Sequence, residues 1–281
     1  MPAAVDLEAE YNARAAVPEH VAIMSGWETR SAALRARPGC RLDLAYGDGP
    51  RRRLDLFTAD RAPAPLHVYI HGGYWQRGDK QIYGFVAEEL RRRGVHVAVL
   101  NYDLCPAVDL DGVVACVREA LAWIWRHAAA LGVDPGRIQV GGNSAGGHLT
   151  AMAMATRWPE LGADLPARLV HSALAISGLY ELAPLIGTSV NAAVGMDERG
   201  ARRNSPVLLS PAAASPLVVA VGGLESAEFH RQARSFAAAW RAAGVPVTLL
   251  EIPGTNHFTI VEQLAAADGV LLDHALALLG T

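Results

Sequence analysis

Val140-Gly141-Gly142-Asn143-Ser144-Ala145-Gly146-Gly147-His148 sets a single hydroxyl inside a run of small residues. Upstream, Arg137-Ile138-Gln139-Val140 reads as the end of a buried strand, and downstream 149–157 reads as a helix. A chain that passes from strand to helix in so few residues must bend sharply at Ser144, and only glycine-like neighbours tolerate the crowding. The serine side chain then projects beyond the sheet edge. The N–H of Ala145 is left free at the helix start, where the helix dipole favours an anion. One turn thus offers a nucleophile and half of an oxyanion hole. G-x-S-x-G also arises by chance in glycine-rich chains, so the strand-turn-helix setting is what carries the reading.

Outward from this turn, short apolar strands alternate with helices. Strands are expected at 66–70, 95–100, 138–141, 169–176, 217–221 and 245–252, and helices at 82–93, 111–131, 147–157, 227–243 and 258–279. Strands spaced by helices imply parallel pairing with both faces covered. Before them, Arg41-Leu42-Asp43-Leu44 and Arg53-Leu54-Asp55-Leu56-Phe57 alternate at period two around Gly47-Asp48-Gly49-Pro50, a hairpin signal. The fold class expected is therefore α/β: a mostly parallel central sheet with an antiparallel N-terminal hairpin and helices on both faces. Residues 7–36 read as a helical cap broken near Pro18, with nothing catalytic in it. Residues 178–216, rich in Pro, Gly and Ser, are longer than an ordinary connection and are expected to form a small lid over the site. No glycine-rich linker divides the chain, so residues 1–281 are expected to form one domain.

Composition narrows the function. The 281 residues can bury about three quarters of their unfolded surface in one core. A net charge of −3 gives no basic field for nucleic acid. Cys40, Cys105 and Cys116 are odd in number and lack C-x-x-C spacing, so neither a disulfide framework nor a zinc site is indicated. The acidic stretch 1–10 is unlike a secretory leader, and no apolar run reaches the ~18 residues of a membrane helix. A soluble, cytoplasmic protein without metal or organic cofactor is expected, acting on a small molecule. A homodimer is compatible with the sequence.

His71-Gly72-Gly73-Tyr74-Trp75 directly follows the strand at 66–70. Backbone N–H groups of Gly72 and Gly73, with no side chains to block an approaching oxygen, would supply the other half of the oxyanion hole. His71 reads as structural, holding the loop by a hydrogen bond. The general base must reach Ser144, and the usual order in such a sheet is Ser, acid, His. Of the ten histidines, His20, His67, His71, His96 and His127 precede Ser144. His148 lies one helical turn away on the wrong element, His171 falls in a strand, and His230 and His274 fall in helices. His257 remains, in the loop between the last strand and the last helix. For the acid, Gly222-Gly223-Leu224-Glu225-Ser226 follows the preceding strand and offers Glu225. Glu228 is the rival, although a carboxylate in the first helical turn is already explained by the dipole.

With these residues in place, the chain resembles the α/β-hydrolase superfamily and, within it, the kynurenine formamidase (arylformamidase) family. The likeness extends to Tyr11-Asn12-Ala13-Arg14, His71 through Gln76, Asn101-Tyr102-Asp103-Leu104-Cys105-Pro106, Gly142 through His148, Ser177-Gly178-Leu179-Tyr180-Glu181-Leu182, Ser226-Ala227-Glu228-Phe229-His230-Arg231-Gln232 and Asn256-His257-Phe258. The resemblance implies a serine hydrolase that cleaves the formamide of N-formyl-L-kynurenine through a formyl-serine. Ser144, Glu225 and His257 would be catalytic, and Gly72, Gly73 and Ala145 would bind the oxyanion. It also implies that Tyr74, Trp75 and the lid shape an aryl pocket, with Asn143 and Tyr180 beside them; these aromatics could equally be core. The family usually carries aspartate where this chain has Glu225, so the longer side chain must fold back to meet His257. Two alternatives stand: a carboxylesterase or small-amide hydrolase of the same fold, and a non-catalytic scaffold.

Overall fold

The computed structural model describes residues 5–281; the first four residues of the acidic amino-terminal stretch lie outside the described residues. Eight strands form one sheet: β1 Cys40–Ala45, β2 Arg53–Phe57, β3 Ala64–Ile70, β4 His96–Leu100, β5 Val133–Asn143, β6 Ser172–Ile176, β7 Leu217–Gly222 and β8 Val247–Ile252. Their spatial order is β1-β2-β4-β3-β5-β6-β7-β8. β1 with β2 and β2 with β4 pair antiparallel, and every later pair is parallel. The expected hairpin and parallel sheet are both present.

The helices are α1 Leu7–Tyr11, α2 Ala13–Ala16, α3 His20–Arg35, α4 Lys80–Tyr83, α5 Ala87–Arg92, α6 Leu110–Arg126, α7 Ala128–Leu131, α8 Ala145–Met154, α9 Asn191–Val194, α10 Glu198–Arg203, α11 Ala227–Ala242 and α12 Val270–Leu279.

Burial explains this layering. Every residue of β3, β4, β6 and β7 is buried, as continuous apolar strands covered on both faces must be. The edge strand β1 is mostly exposed and slips register between Arg41 and Leu44, where Asp43 takes a positive φ and donates its N–H to Asp55 Oδ1 at 2.9 Å. Such an irregularity turns an edge away from further pairing. Asp55, wholly buried, is neutralised by Lys80 Nζ at 2.7 Å and by the guanidinium of Arg35.

Several expected boundaries move. The helix expected over 258–279 is two pieces, a 3₁₀ turn at Thr259–Leu264 and then α12. Gly269 packs where any Cβ would lie 2.1 Å from the carbonyl oxygen of Gln263, and the Gln263 side chain accepts from the N–H of Val270 at 3.0 Å. That local cap restarts the helix. The helix expected over 82–93 begins earlier and is likewise interrupted, by a 3₁₀ turn at Gly84–Val86. Between 178 and 216 lie only short pieces, including α9 and α10. No helix of the described residues is long and apolar enough to cross a membrane.

Candidate active site

Ser144 sits between β5 and α8 with φ 57° and ψ −121°, in a region that side chains rarely occupy. Three glycines make the turn possible. A Cβ on Gly142 would lie 2.4 Å, and one on Gly146 1.9 Å, from the carbonyl oxygen of Ile70; one on Gly147 would lie 2.8 Å from that of Ile176. The start of α8 is thus pressed directly against β3 and β6. Ser144 N–H donates to Ile176 O at 2.8 Å, fixing the bend to the neighbouring strand.

The loop after β3 lies alongside. A Cβ on Gly72 would meet Ser144 Cβ at 3.1 Å, so the backbone of Gly72 borders the serine. The N–H groups of Gly72 and Gly73 donate to no carbonyl among the described residues. Ala145, at the first position of α8, has no intrahelical acceptor for its own N–H. His71 holds the loop as expected: its Nδ1 donates to Gly72 O at 2.8 Å, its ring stacks on Tyr102 at 4.4 Å, and the Tyr102 hydroxyl donates to His71 O at 2.8 Å. This gives the Asn-Tyr-Asp stretch a role beneath the loop. Burial pushes the His71 imidazole down to about 4, so it is neutral.

His257 comes from the loop after β8 and is 6% exposed. Its ring nitrogen Nδ1 lies 2.6 Å from Glu225 Oε2, and Glu225 has only 1% of its side chain exposed. The other carboxylate oxygen accepts from Ser177 Oγ at 2.5 Å and from the N–H of Gly222 at 2.7 Å. A buried carboxylate is tolerated when its lone pairs are met in this way. The two loops are tied together: Gly223 N–H donates to Ile252 O at 2.8 Å and Leu224 N–H to Thr255 O at 3.0 Å. Asn256 and Thr259 cap each other around His257, with Thr259 N–H on Asn256 Oδ1 at 2.9 Å and Asn256 N–H on Thr259 Oγ1 at 2.8 Å. The longer glutamate therefore reaches the imidazole without strain in the pairing distance. Its rival Glu228 is occupied elsewhere, accepting from the Tyr11 hydroxyl at 2.6 Å and from both sides of the Arg231 fork at 2.8 Å.

Ser144 and His257 face one cavity of about 300 Å³, lined also by Gly72, Gly73, Tyr74 and Asn143. Asn143 is oriented by the Tyr69 hydroxyl, which donates to its Oδ1 at 3.0 Å. The structure does not bring Trp75 or Tyr180 to the cavity wall. Trp75 is wholly buried with its indole N–H on His148 Nδ1 at 3.1 Å, and Tyr180 stacks on Phe236 at 4.1 Å. Aromatic residue type alone does not tell which way a ring turns. His148, whose Nε2 donates to Asn204 O at 2.8 Å, is a buried tie between the Trp75 loop and the 178–216 segment.

The amino-terminal segment, read from sequence as a helical cap with nothing catalytic in it, supplies a wall of the cavity through Glu8, Tyr11, Asn12, Ala13, Arg14 and Met24. It is strapped in place. Glu8 accepts from the N–H and hydroxyl of Ser189 at 2.7 and 2.5 Å, Tyr74 donates its hydroxyl to Tyr11 O at 2.5 Å, and Gln232 Nε2 donates to the Tyr11 hydroxyl at 2.9 Å. The 178–216 segment closes another side with Thr188, Ser189 and Val190, and Gln76 Nε2 holds Val190 O at 2.6 Å. Sequence reasoning also missed Ser177. A small polar residue just past a strand was the only local signal for it.

Comparison with known proteins agrees with this architecture. Residues 67–261 match a protein family described by the α/β hydrolase fold. Kynurenine formamidase of Salmo salar is 34% identical over 85% of this chain and 82% of its own length, and that of Drosophila melanogaster 30% identical over 84% and 80%. Esterase LipC of Mycobacterium tuberculosis is 29% identical over 77% of this chain and 59% of its own. Among solved structures, a candidate thioesterase from Silicibacter sp. TM1040 superposes with a TM-score of 0.86 at 30% identity, covering 99% of this chain and 100% of that one. A match over most of the chain, with relatives of this identity and coverage, places the protein in the α/β-hydrolase fold family and, within it, among the kynurenine formamidases.

Proposed function

We propose that the protein is an arylformamidase that hydrolyses N-formyl-L-kynurenine, with Ser144 as nucleophile, His257 as general acid and base, and Glu225 as the group that orients and charges His257. The observation that carries this reading is the placement of His257: one ring nitrogen is held by Glu225 at 2.6 Å while the residue lines the same cavity as Ser144 and Gly72. Kinship with kynurenine formamidases supplies the substrate class.

In the first half-reaction Ser144 Oγ attacks the formyl carbon and its proton passes to His257 Nε2. The oxyanion accepts from the N–H groups of Gly72, Gly73 and Ala145, each such donor lowering the barrier by about 2.7–4 kcal/mol. The C–N bond breaks, His257 returns the proton to the aniline nitrogen, and the arylamine leaves a formyl ester on Ser144. Water then attacks that ester as His257 takes its proton, and formate departs as the serine hydroxyl is restored. An anilide suits this machine because its nitrogen lone pair is partly drawn into the ring and the departing amine is weakly basic. Tyr74 and Asn143 contact the bound aryl formamide.

Hydrolysis of aryl esters is the second reading, favoured by the esterase relative, and uses the same residues. Comparing kcat/KM for a series of formanilides with that for short-chain aryl esters decides between them: the formamidase reading requires the formanilides to be preferred, and a uniform preference for esters overturns it.

A further inference from the structure

The cavity wall carries an unusual charge distribution. Arg14, on α2, and Arg77, in the loop that follows Gly73, both line it with Ser144 and His257. Neither guanidinium has a carboxylate within 4 Å or a hydrogen bond among the described residues, whereas Arg30, Arg52 and Arg231 each have an acidic partner. The one acid on the wall, Glu8, has both oxygens taken by Ser189. The two cations also sense each other: burial first, and then the charge of Arg77, hold the Arg14 guanidinium below its usual range. Both side chains are exposed, so water screens their repulsion, and what they offer is two unclaimed guanidinium forks on the wall of one cavity. Arginine's planar fork suits a carboxylate better than any other group in the set.

We propose that Arg14 and Arg77 together form a carboxylate subsite, which selects aryl formamides bearing a carboxylate on a short aliphatic arm over neutral formanilides. This rests on the arylformamidase reading of the same cavity. Both arginines are exposed whereas Ser144 and His257 are buried, so an aryl ring anchored by its carboxylate would reach inward to the reacting groups. The amino-terminal segment then has a reason to be strapped so firmly through Tyr11 and Glu8: it carries one half of the clamp.

The test is binding rather than turnover, so that it stands apart from the reaction assigned above. Titration calorimetry with L-kynurenine and with its decarboxylated analogue kynurenamine, which keeps the ring and the amine, gives a ratio of dissociation constants. The wild-type protein is expected to hold L-kynurenine roughly ten- to a hundredfold more tightly, the range for hydrogen bonds to a charged group. That ratio should shrink toward one in Arg14→Gln/Arg77→Gln, be partly kept in Arg14→Lys/Arg77→Lys, and decline with added salt. The single variants Arg14→Gln and Arg77→Gln serve if the double variant does not fold, each expected to lose part of the ratio. Equal affinity for the two compounds in the wild type, or a ratio that survives the glutamine variants, overturns the subsite. Absence of formate release from N-formyl-L-kynurenine with the ratio intact would instead remove the reaction and leave the subsite standing.

Discussion

Ser177, one residue beyond β6, donates its hydroxyl to Glu225 Oε1 at 2.5 Å and so fixes the carboxylate whose other oxygen meets His257. Ser177 is itself held at a positive φ of 48°, with its N–H on Ala220 O at 2.7 Å. The backbone of two strands thereby sets the position of the Glu225 carboxylate. Ser177→Ala removes a charge-assisted hydrogen bond from a buried acid and is expected to lower kcat/KM about tenfold. Steady-state kinetics checks the effect; an unchanged kcat/KM would leave Ser177 a bystander.

Glu225 itself gives a sharper contrast. Glu225→Gln keeps shape but loses charge and the ability to fix the imidazole tautomer, and kcat should fall by roughly 10³- to 10⁴-fold. Glu225→Asp keeps the charge but shortens the arm by one methylene, and here the Gly222 and Ser177 donors are set for the longer one. It should lose activity too, though less than the glutamine variant, because a shorter side chain must give up Ser177 or His257. Full activity in Glu225→Asp would show that the loop readjusts freely.

Gly72 borders the serine so closely that an added methyl would sit 3.0 Å from Asn143 O and 3.1 Å from Ser144 Cβ. Gly72→Ala is expected to cut kcat by roughly 10²- to 10³-fold, comparable to loss of one oxyanion donor, with melting temperature little changed. Parallel measurement of kcat and thermal unfolding separates this from a folding defect: equal losses in both would assign Gly72 to the scaffold alone.

Tyr11 joins the amino-terminal segment to α11, giving its proton to Glu228 at 2.6 Å and receiving one from Gln232 at 2.9 Å. Tyr11→Phe leaves both partners short of a bond in a half-buried network. It should cost about 1–3 kcal/mol of stability and raise KM more than it lowers kcat, since the wall of the cavity loosens while the reacting groups stay in place. Urea unfolding and steady-state kinetics read the two effects, and a variant with wild-type stability and KM would contradict the strap.

Much of this was legible in the sequence because it is local grammar. The passage from β5 through Ser144 to α8 is written in glycines on both sides of the serine, the Gly72-Gly73 loop follows the end of β3, and His257 lies in the loop after β8. Glu225 could be preferred over Glu228 from loop position alone; the structure sets Glu225 against His257 and Glu228 against Tyr11 and Arg231. What was not legible depends on distance along the chain. The link between Tyr11 and Glu228 spans 217 residues, and no periodicity within 7–36 hints that Arg14 or Glu8 faces a cavity. Trp75 and Tyr180 illustrate the converse: residue type suggested a pocket, but the partners that turn both rings into the core lie on other elements. The break before α12 depends on the Gln263 side chain folding back to Val270, which hydrophobic spacing does not encode.

Acid should unfold the protein for a definable reason. His67, His71 and His148 are wholly enclosed, and burial pushes each imidazole from 6.5 down to about 4. The unfolded chain binds these protons more readily, so stability is fully present above about pH 6.5 and falls as the pH drops toward 4, by about 3 kcal/mol for each histidine. Denaturant unfolding at a series of pH values should show a steep decline across that window; a flat profile would mean that these rings are protonated in the folded state.

The most direct test of the central claim is release of formate from N-formyl-L-kynurenine by the wild-type protein and by Ser144→Ala, with circular dichroism confirming that both are folded. Rapid turnover by the wild type and a loss of at least about 10³-fold in the variant is the result predicted. Near-equal rates in the two proteins would contradict it.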